Sequence, residues 1–470
     1  MQTNNTHKFS LFTLISVFFF WGFVAASNTI LIPLFKKNFE LSQMQSQLVD
    51  FAFYAAYFIG SLIYFITSIT SGDPLNKIGY KKGLITGLFI SAIGALGFIP
   101  AASLHSFELM LLSLFVVGLG FALQQIVANP YVIALGTPET GAHRVSFAGG
   151  INSFGTTIGP LLVSYAIFGN IEGASNTAQI EAVKTPYFIL AIAFIAFAGI
   201  LGISKLPAIT NNENIEKNMG ALKYPQLVLG MIAIFVYVGV EVTIQSNLPE
   251  LMKQDYILGL QPEKTVHYIS LYWGGLMIGR WAGAISVFNF KGGMKNVMMI
   301  ILPFLAYAIL ILVNYIKGST IDAFIDYLPL VILLIVGFFL GKEKPARTLM
   351  LFSIMAVIMM SIGLLTTGET ALYCFLSGGL FCSIMWPCIF SLSIAGLGKY
   401  TNQGSALLIM MILGGAIIPP LQGFIADNVN IHISYIIPLI GFIYLAYYGW
   451  SVRGILKKQG IDYDAKNTSH

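Results

Sequence analysis

Stretches of about twenty residues with almost no charge recur along this chain from one end to the other, and that recurrence confines it to a membrane. The runs from Leu84 to Pro100 and from Leu349 to Leu365 are nearly unbroken in apolar residues. A bilayer core about 30 Å thick is crossed by roughly 20 helical residues, whereas a membrane β-strand alternates apolar and polar residues over about 10. Unbroken runs therefore predict helices. Charged residues make up only 10% of the chain, against about 25% in a soluble domain, which excludes a water-soluble globule. Cys374, Cys382 and Cys388 fall in one apolar stretch without metal-type spacing and read as lipid-facing or packing residues. The net charge of +5 is first explained by basic loops at one membrane face, so no nucleic-acid partner is needed. The first apolar run continues through Ile32 without a small-x-small cleavage site, and reads as a retained helix.

Hydropathy places helices at about 11–35, 45–68, 83–101, 107–135, 144–168 and 184–204. A polar stretch at 205–223 follows, with Asn211, Asn212, Glu213, Asn214 and Glu216. Further segments come at 225–250, 263–289, 296–316, 325–341, 347–366, 370–398, 403–427 and 432–453, fourteen in all. With the N-terminus inside, 19 of the 25 Lys and Arg, among them Lys77, Lys81, Lys82, Lys291, Lys295, Lys342, Lys344, Arg347, Lys457 and Lys458, fall on the cytoplasmic side, as short loops require. Internal similarity points to a repeat. Trp21 and Pro33 correspond to Tyr237 and Pro249 at an offset of 216, but Pro130 corresponds to Pro387 at 257. The growth of 41 marks an inserted two-helix hairpin. The expected organisation is a six-helix bundle at 1–204, a cytoplasmic linker at 205–223 and a second bundle beginning at 224–295. The hairpin occupies 296–341, the rest of the second bundle 342–455, and a cytoplasmic tail 456–470.

The strings Gly79-Tyr80-Lys81-Lys82, Ala128-Asn129-Pro130-Tyr131, Asn152-Ser153-Phe154-Gly155, Tyr272-Trp273-Gly274-Gly275, Gly279-Arg280 and Ser383-Ile384-Met385-Trp386-Pro387 share their order and spacing with one family. Over nearly the whole chain apart from the hairpin, the sequence resembles the fucose, galactose and glucose cation symporters of the major facilitator superfamily. Gly239 to Ile244 and Tyr272 to Arg280 look most like the bacterial glucose/galactose transporter branch. The resemblance implies an all-α polytopic membrane protein of the major facilitator fold, two six-helix bundles with the extra hairpin in the second half. It also implies that Asn76 to Lys82 is the superfamily's cytoplasmic signature, with Arg280 as its counterpart or as an interfacial residue.

A hexose offers hydroxyls and apolar ring faces, which amides, hydroxyls and aromatic planes recognise without fixed charge. Gln125 and Asn129 stand four apart, as do Asn152 and Thr156, so each pair shares a helix face. Asn28 and Thr29 lie deep in the first segment and Gln245 in the seventh, while Tyr272, Trp273, Trp386 and Gln422 offer stacking and amide contacts in the second half. The plainer reading of each amide is a helix-packing hydrogen bond, and Trp386 before Pro387 suits packing as well. Glu241 is the leading cation-coupling candidate, because a carboxylate deep in a spanning segment is costly to keep. It would hold a proton, or Na+ as metal ligand; its plainer role is a protonated or amide-paired packing residue. Asp50 is a second coupling candidate or an interfacial residue. By the resemblance, Thr29 stands where an aspartate is common, Gln125 where the fucose branch has glutamate, and Gly149 where glutamine is frequent. The fucose branch's proton-carrying pair is thus missing.

The expected function is uptake of a neutral hexose of the glucose/galactose type by alternating access, coupled to Na+ or H+. No organic cofactor and no enzymatic constellation is expected. The expected setting is the cell inner membrane, with both termini cytoplasmic and the chain a monomer in the lipid bilayer. The alternatives are an uncoupled sugar facilitator, suggested by Thr29, and a sugar-binding sensor or scaffold whose hairpin docks a partner. The glycosylation triplets at Asn4 and Asn467 fall on expected cytoplasmic tails and are discounted.

Overall fold

The computed structural model describes residues 8–41, 45, 48–168, 179–207, 218–260, 265–288, 293–316 and 322–461. Much of the expected linker, the hairpin tip, both chain ends and the two triplets lie outside these residues. Each of the fourteen expected segments is helical. In chain order the helices are α1 (Lys8–Asn38), α2 (Leu48–Ser71), α3 (Pro74–Ile78), α4 (Tyr80–Ser103), α5 (Phe107–Ala134), α6 (Gly141–Phe168), α7 (Lys184–Ile203), α8 (Pro225–Met252), α9 (Val266–Ala284), α10 (Met294–Ile316), α11 (Asp322–Gly341), α12 (Pro345–Leu365), α13 (Gly368–Cys382), α14 (Met385–Ile394), α15 (Thr401–Met410), α16 (Gly414–Asn428) and α17 (Ile436–Lys458).

Three departures raise fourteen to seventeen, each with a local cause. Asp73 caps the short α3 by accepting from the Leu75 N–H, and Pro74 supplies a preset φ at its first position. The segment expected at 370–398 breaks into α13 and α14, because the ring of Pro387 cannot coexist with a helical carbonyl at Ser383. The segment expected at 403–427 divides at a 3₁₀ turn, Met411–Leu413, beside the diglycine Gly414-Gly415. Among the described residues, twelve spans are long and apolar enough to cross a membrane. Of the fourteen expected segments, the two missing from that set are α6 and α9, which carry polar side chains along their length: His143, Arg144, Asn152 and Thr156 on one, His267, Tyr272 and Arg280 on the other.

The chain packs as two compact units that are not contiguous in sequence. The first comprises Met1–Thr137, Ile151–Lys223 and Gly398–Leu413, the second Pro138–Gly150, Tyr224–Leu397 and Gly414–His470. In the first, α4 lies against α5, flanked by α2 and α7, and α15 packs on α2 and α5. A buried polar knot joins α15 to the turn after α2. Asn402 Nδ2 donates to Asp73 Oδ2 at 2.7 Å, Tyr80 donates to Asn402 Oδ1 at 2.5 Å, and Tyr64 donates to Asp73 Oδ1.

In the second unit α8 packs on α14, α16 and α17, while α12 meets α13 and α17. Cys374, Cys382 and Cys388 are all buried, so they are interior packing residues rather than lipid-facing ones. The hairpin α10–α11 rests on α9, α12 and α13. Leu310 fills the space that a side chain on Gly274 would need, and the Tyr327 hydroxyl lies against Gly275. Asn314 donates to Ser270 Oγ at 2.8 Å, and Tyr373 on α13 donates to the Ala323 carbonyl at 3.0 Å.

Candidate functional site

In the first unit the polar groups of α5 and α6 meet α1 and α2. Gln125 is half-buried and donates to the Tyr57 hydroxyl at 2.9 Å. One turn on, Asn129 donates to the Gln125 carbonyl at 2.9 Å, and its own buried Oδ1 accepts nothing among the described residues. An amide oxygen with no donor inside a membrane bundle is costly, and a ligand hydroxyl is one means of satisfying it. The neighbouring Gln124 meets other partners: it accepts from Trp21 Nε1 at 2.9 Å and donates to Ser91 Oγ at 3.0 Å, a fully internal chain.

Asn152 donates to the Phe18 carbonyl at 3.1 Å, tying α6 to α1. These helices approach so closely that a Cβ on Gly22 would sit 2.0 Å from the Asn152 carbonyl oxygen. Thr156, on the same face, donates to the Ser153 carbonyl at 2.7 Å. Asn28 and Thr29 occur within α1, but their side chains lie outside the described residues. Asp50 is exposed in the first turn of α2.

The second unit holds the charged cluster. Glu241 on α8 faces Arg280 on α9 at 3.6 Å, with the two side chains 12% and 13% exposed. That separation makes an ion pair without a close hydrogen bond. Tyr272 donates to the Glu241 carbonyl at 2.8 Å, fixing α8 against α9. The Tyr237 hydroxyl, one turn before Glu241, is buried against the carboxylate. Trp386 on α14 lies 6.2 Å from the Tyr237 ring, and Trp273 meets Tyr272 edge-on at 5.9 Å. Gln245 is half-buried one turn beyond Glu241.

Gln422 stands apart from this cluster. It is fully buried, accepts from Asn247 at 2.9 Å and donates to Ser434 at 3.0 Å, so both ends of its amide are engaged in packing. Arg280 owes its path to Gly149, whose missing side chain leaves van der Waals room for the arginine stem; a Cβ there would lie 3.3 Å from Cδ.

The sequence points to Glu241 but not to its partner, because Arg280 reads equally as a loop signature or an interfacial side chain. The signal was its position, more than two turns inside the expected span 263–289. Tyr57 and Tyr237 carried no polar marker in a chain with 22 tyrosines. Asp73 had a readable one, an Asp-Pro helix start.

Helices long enough to span a bilayer, with buried amides in one unit and a buried ion pair in the other, define a polytopic membrane protein. The chain belongs to the major facilitator superfamily, a family of transporters, whose profile matches residues 12–342. It is 36% identical to the glucose/galactose transporter of Brucella abortus, the match covering 95% of each chain. It is 28% identical to the L-fucose-proton symporter of Escherichia coli, over 91% of this chain and 90% of that one. Among solved structures, the major facilitator transporter FucP in the outward conformation superposes with a TM-score of 0.73 at 26% identity, covering 94% of this chain and 98% of that one.

Proposed function

We propose that this protein is a secondary active transporter that takes up a neutral hexose of the glucose/galactose type together with a proton. The observation that carries the reading is the Glu241–Arg280 pair, buried in mid-helix against the Tyr237 hydroxyl. A buried pair of this kind adds little stability over apolar packing, so its retention points to a task. The groups set around the carboxylate are a guanidinium, the phenols of Tyr237 and Tyr272, and the Cys382 thiol. They suit a proton, which needs one oxygen, better than Na+, which needs a shell of oxygens and would sit beside a fixed positive charge. Binding a proton to Glu241 frees Arg280 from its counter-ion, so the cluster presents different donors to the sugar in its two protonation states. Such a difference is what couples one ligand to another.

The amides of Gln125, Asn129 and Asn152 supply further sugar contacts, with Asn28, Thr29, Gln245, Tyr272, Trp273 and Trp386 as candidates beside them. Residues 1–204 and 224–455 act as the two halves of an alternating-access carrier in the cell inner membrane, with both termini cytoplasmic and one chain sufficing. The similarity to the glucose/galactose transporter over 95% of the chain supports the substrate class.

The deciding experiment is uptake of labelled glucose and galactose into vesicles under imposed gradients. A proton gradient is expected to drive accumulation, a Na+ gradient is not, and Glu241→Gln is expected to abolish accumulation while leaving sugar exchange. Lack of exchange for every neutral hexose would remove the substrate assignment, and accumulation driven by Na+ alone would remove the proton. A second reading, the uncoupled facilitator, draws on Arg280 already neutralising Glu241; accumulation above the equilibrium level excludes it.

A further inference from the structure

The base of the inserted hairpin is built unlike a simple connection. Lys342 and Glu343, between α11 and α12, adopt consecutive left-handed conformations at φ 51° and 59°, although neither is glycine. Such a turn persists where its surroundings hold it. Two groups hold this one. Lys295, at the start of α10, pairs with the Glu343 carboxylate at 2.5 Å and closes the hairpin's two ends on each other. Burial by itself would raise the Glu343 carboxyl, but the Lys295 ammonium, with His143 and the Ser286 hydroxyl, outweighs it and keeps the group below the usual carboxylate range.

The second group is His143, in the first turn of α6. Its Nδ1 lies 2.9 Å from the Gly283 carbonyl in the last turn of α9, and its Nε2 lies 3.3 Å from the Glu343 carbonyl. Both partners are carbonyl oxygens, which only accept. A neutral imidazole carries one N–H and can serve one of them, whereas the imidazolium carries two and serves both. Burial is the largest influence on the ring and holds it below the usual histidine range; the Gly283 and Glu343 carbonyls and the Glu343 carboxylate favour the imidazolium, and the Lys295 ammonium opposes it. The contact with Glu343 lies at the exposed edge of a cleft that Ser286, Thr348 and Ile384 also line, so protons reach the ring.

We propose that His143 is a proton-binding latch, distinct from the coupling site: the imidazolium clamps the hairpin base to α9 and to the start of α6, and loss of the proton lets the Glu343 carbonyl go. The latch responds to pH on the membrane face where the base lies, and its closure slows substrate exchange. Only the transport readout rests on the sugar assignment.

The test is hydrogen–deuterium exchange of the segment 338–348 in the full-length protein at about pH 4.5 and about pH 8, the acid end set well below the usual histidine range because burial lowers the ring, and corrected for the chemical exchange rate. Protection is expected to rise about tenfold at the acid end, the factor a charge-assisted hydrogen bond corresponds to. The rise should vanish in His143→Gln, which keeps a single donor and no charge. Equal protection of the wild type at both pH values overturns the latch whether or not the variant folds, and a rise that survives in His143→Gln overturns it as well. Sugar exchange that slows at acid pH in the wild type but not in the variant adds the functional consequence. A protein that moves no hexose would still report the latch through its deuterium pattern.

Discussion

The buried pair at the centre of the second unit makes a quantitative prediction. At 3.6 Å and an effective dielectric near 20, two unit charges attract by about 4 to 5 kcal/mol. Most of that offsets the cost of taking each charge out of water, so the pair's net worth is small. Removing one member strips away the attraction and leaves the other charge buried alone, at a cost of about 3–5 kcal/mol. Removing both leaves neither. Glu241→Gln and Arg280→Met should therefore each destabilise the protein strongly, whereas the double variant should recover most of the loss. The interaction energy from the cycle is expected to reach at least about 2 kcal/mol. The assay is thermal unfolding in detergent for the four proteins at one pH, paired with circular dichroism and a single monodisperse gel-filtration peak to show that each folds. Losses that simply add in the double variant would refute the electrostatic reasoning and return Glu241 to the standing of a packing residue.

Three further outcomes follow from particular contacts. Gly22→Ala places a methyl group where the Asn152 carbonyl already stands, 2.0 Å away, so α1 and α6 must separate; a loss of about 1–3 kcal/mol in unfolding free energy and loss of exchange are expected. Asp73→Asn keeps one acceptor oxygen but sets an N–H₂ against either the Asn402 amide or the Tyr64 hydroxyl and capped N–H; Tm should fall by the equivalent of about 1–3 kcal/mol. Gln422→Ala strands the Asn247 amide and the Ser434 hydroxyl, so stability should drop by about 2 kcal/mol while the KM for sugar stays near the wild-type value; a large rise in KM with unchanged Tm would return this residue to the binding site.

The sequence by itself determined the membrane class, the fourteen segments and the place of the extra hairpin, because apolar length is a local property that a bilayer reads one helix at a time. It also singled out Glu241, since an ionisable group in mid-helix is conspicuous without any knowledge of its neighbours. What it left open were partnerships across long separations. Arg280 opposite Glu241, Tyr57 beside Gln125, Asn402 on Asp73 and His143 between two carbonyls are each set by how helices distant in the chain cross, and that geometry depends on close approaches such as Gly22 on Asn152 and Gly274 on Leu310. Gln422 makes the same point from the other side. Its amide suits sugar or packing equally well in sequence, and only the tertiary contacts to Asn247 and Ser434 show where its hydrogen bonds go. In lipid every polar group must find a partner within the protein or its ligand, so the arrangement of helices decides which groups are already satisfied and which remain available.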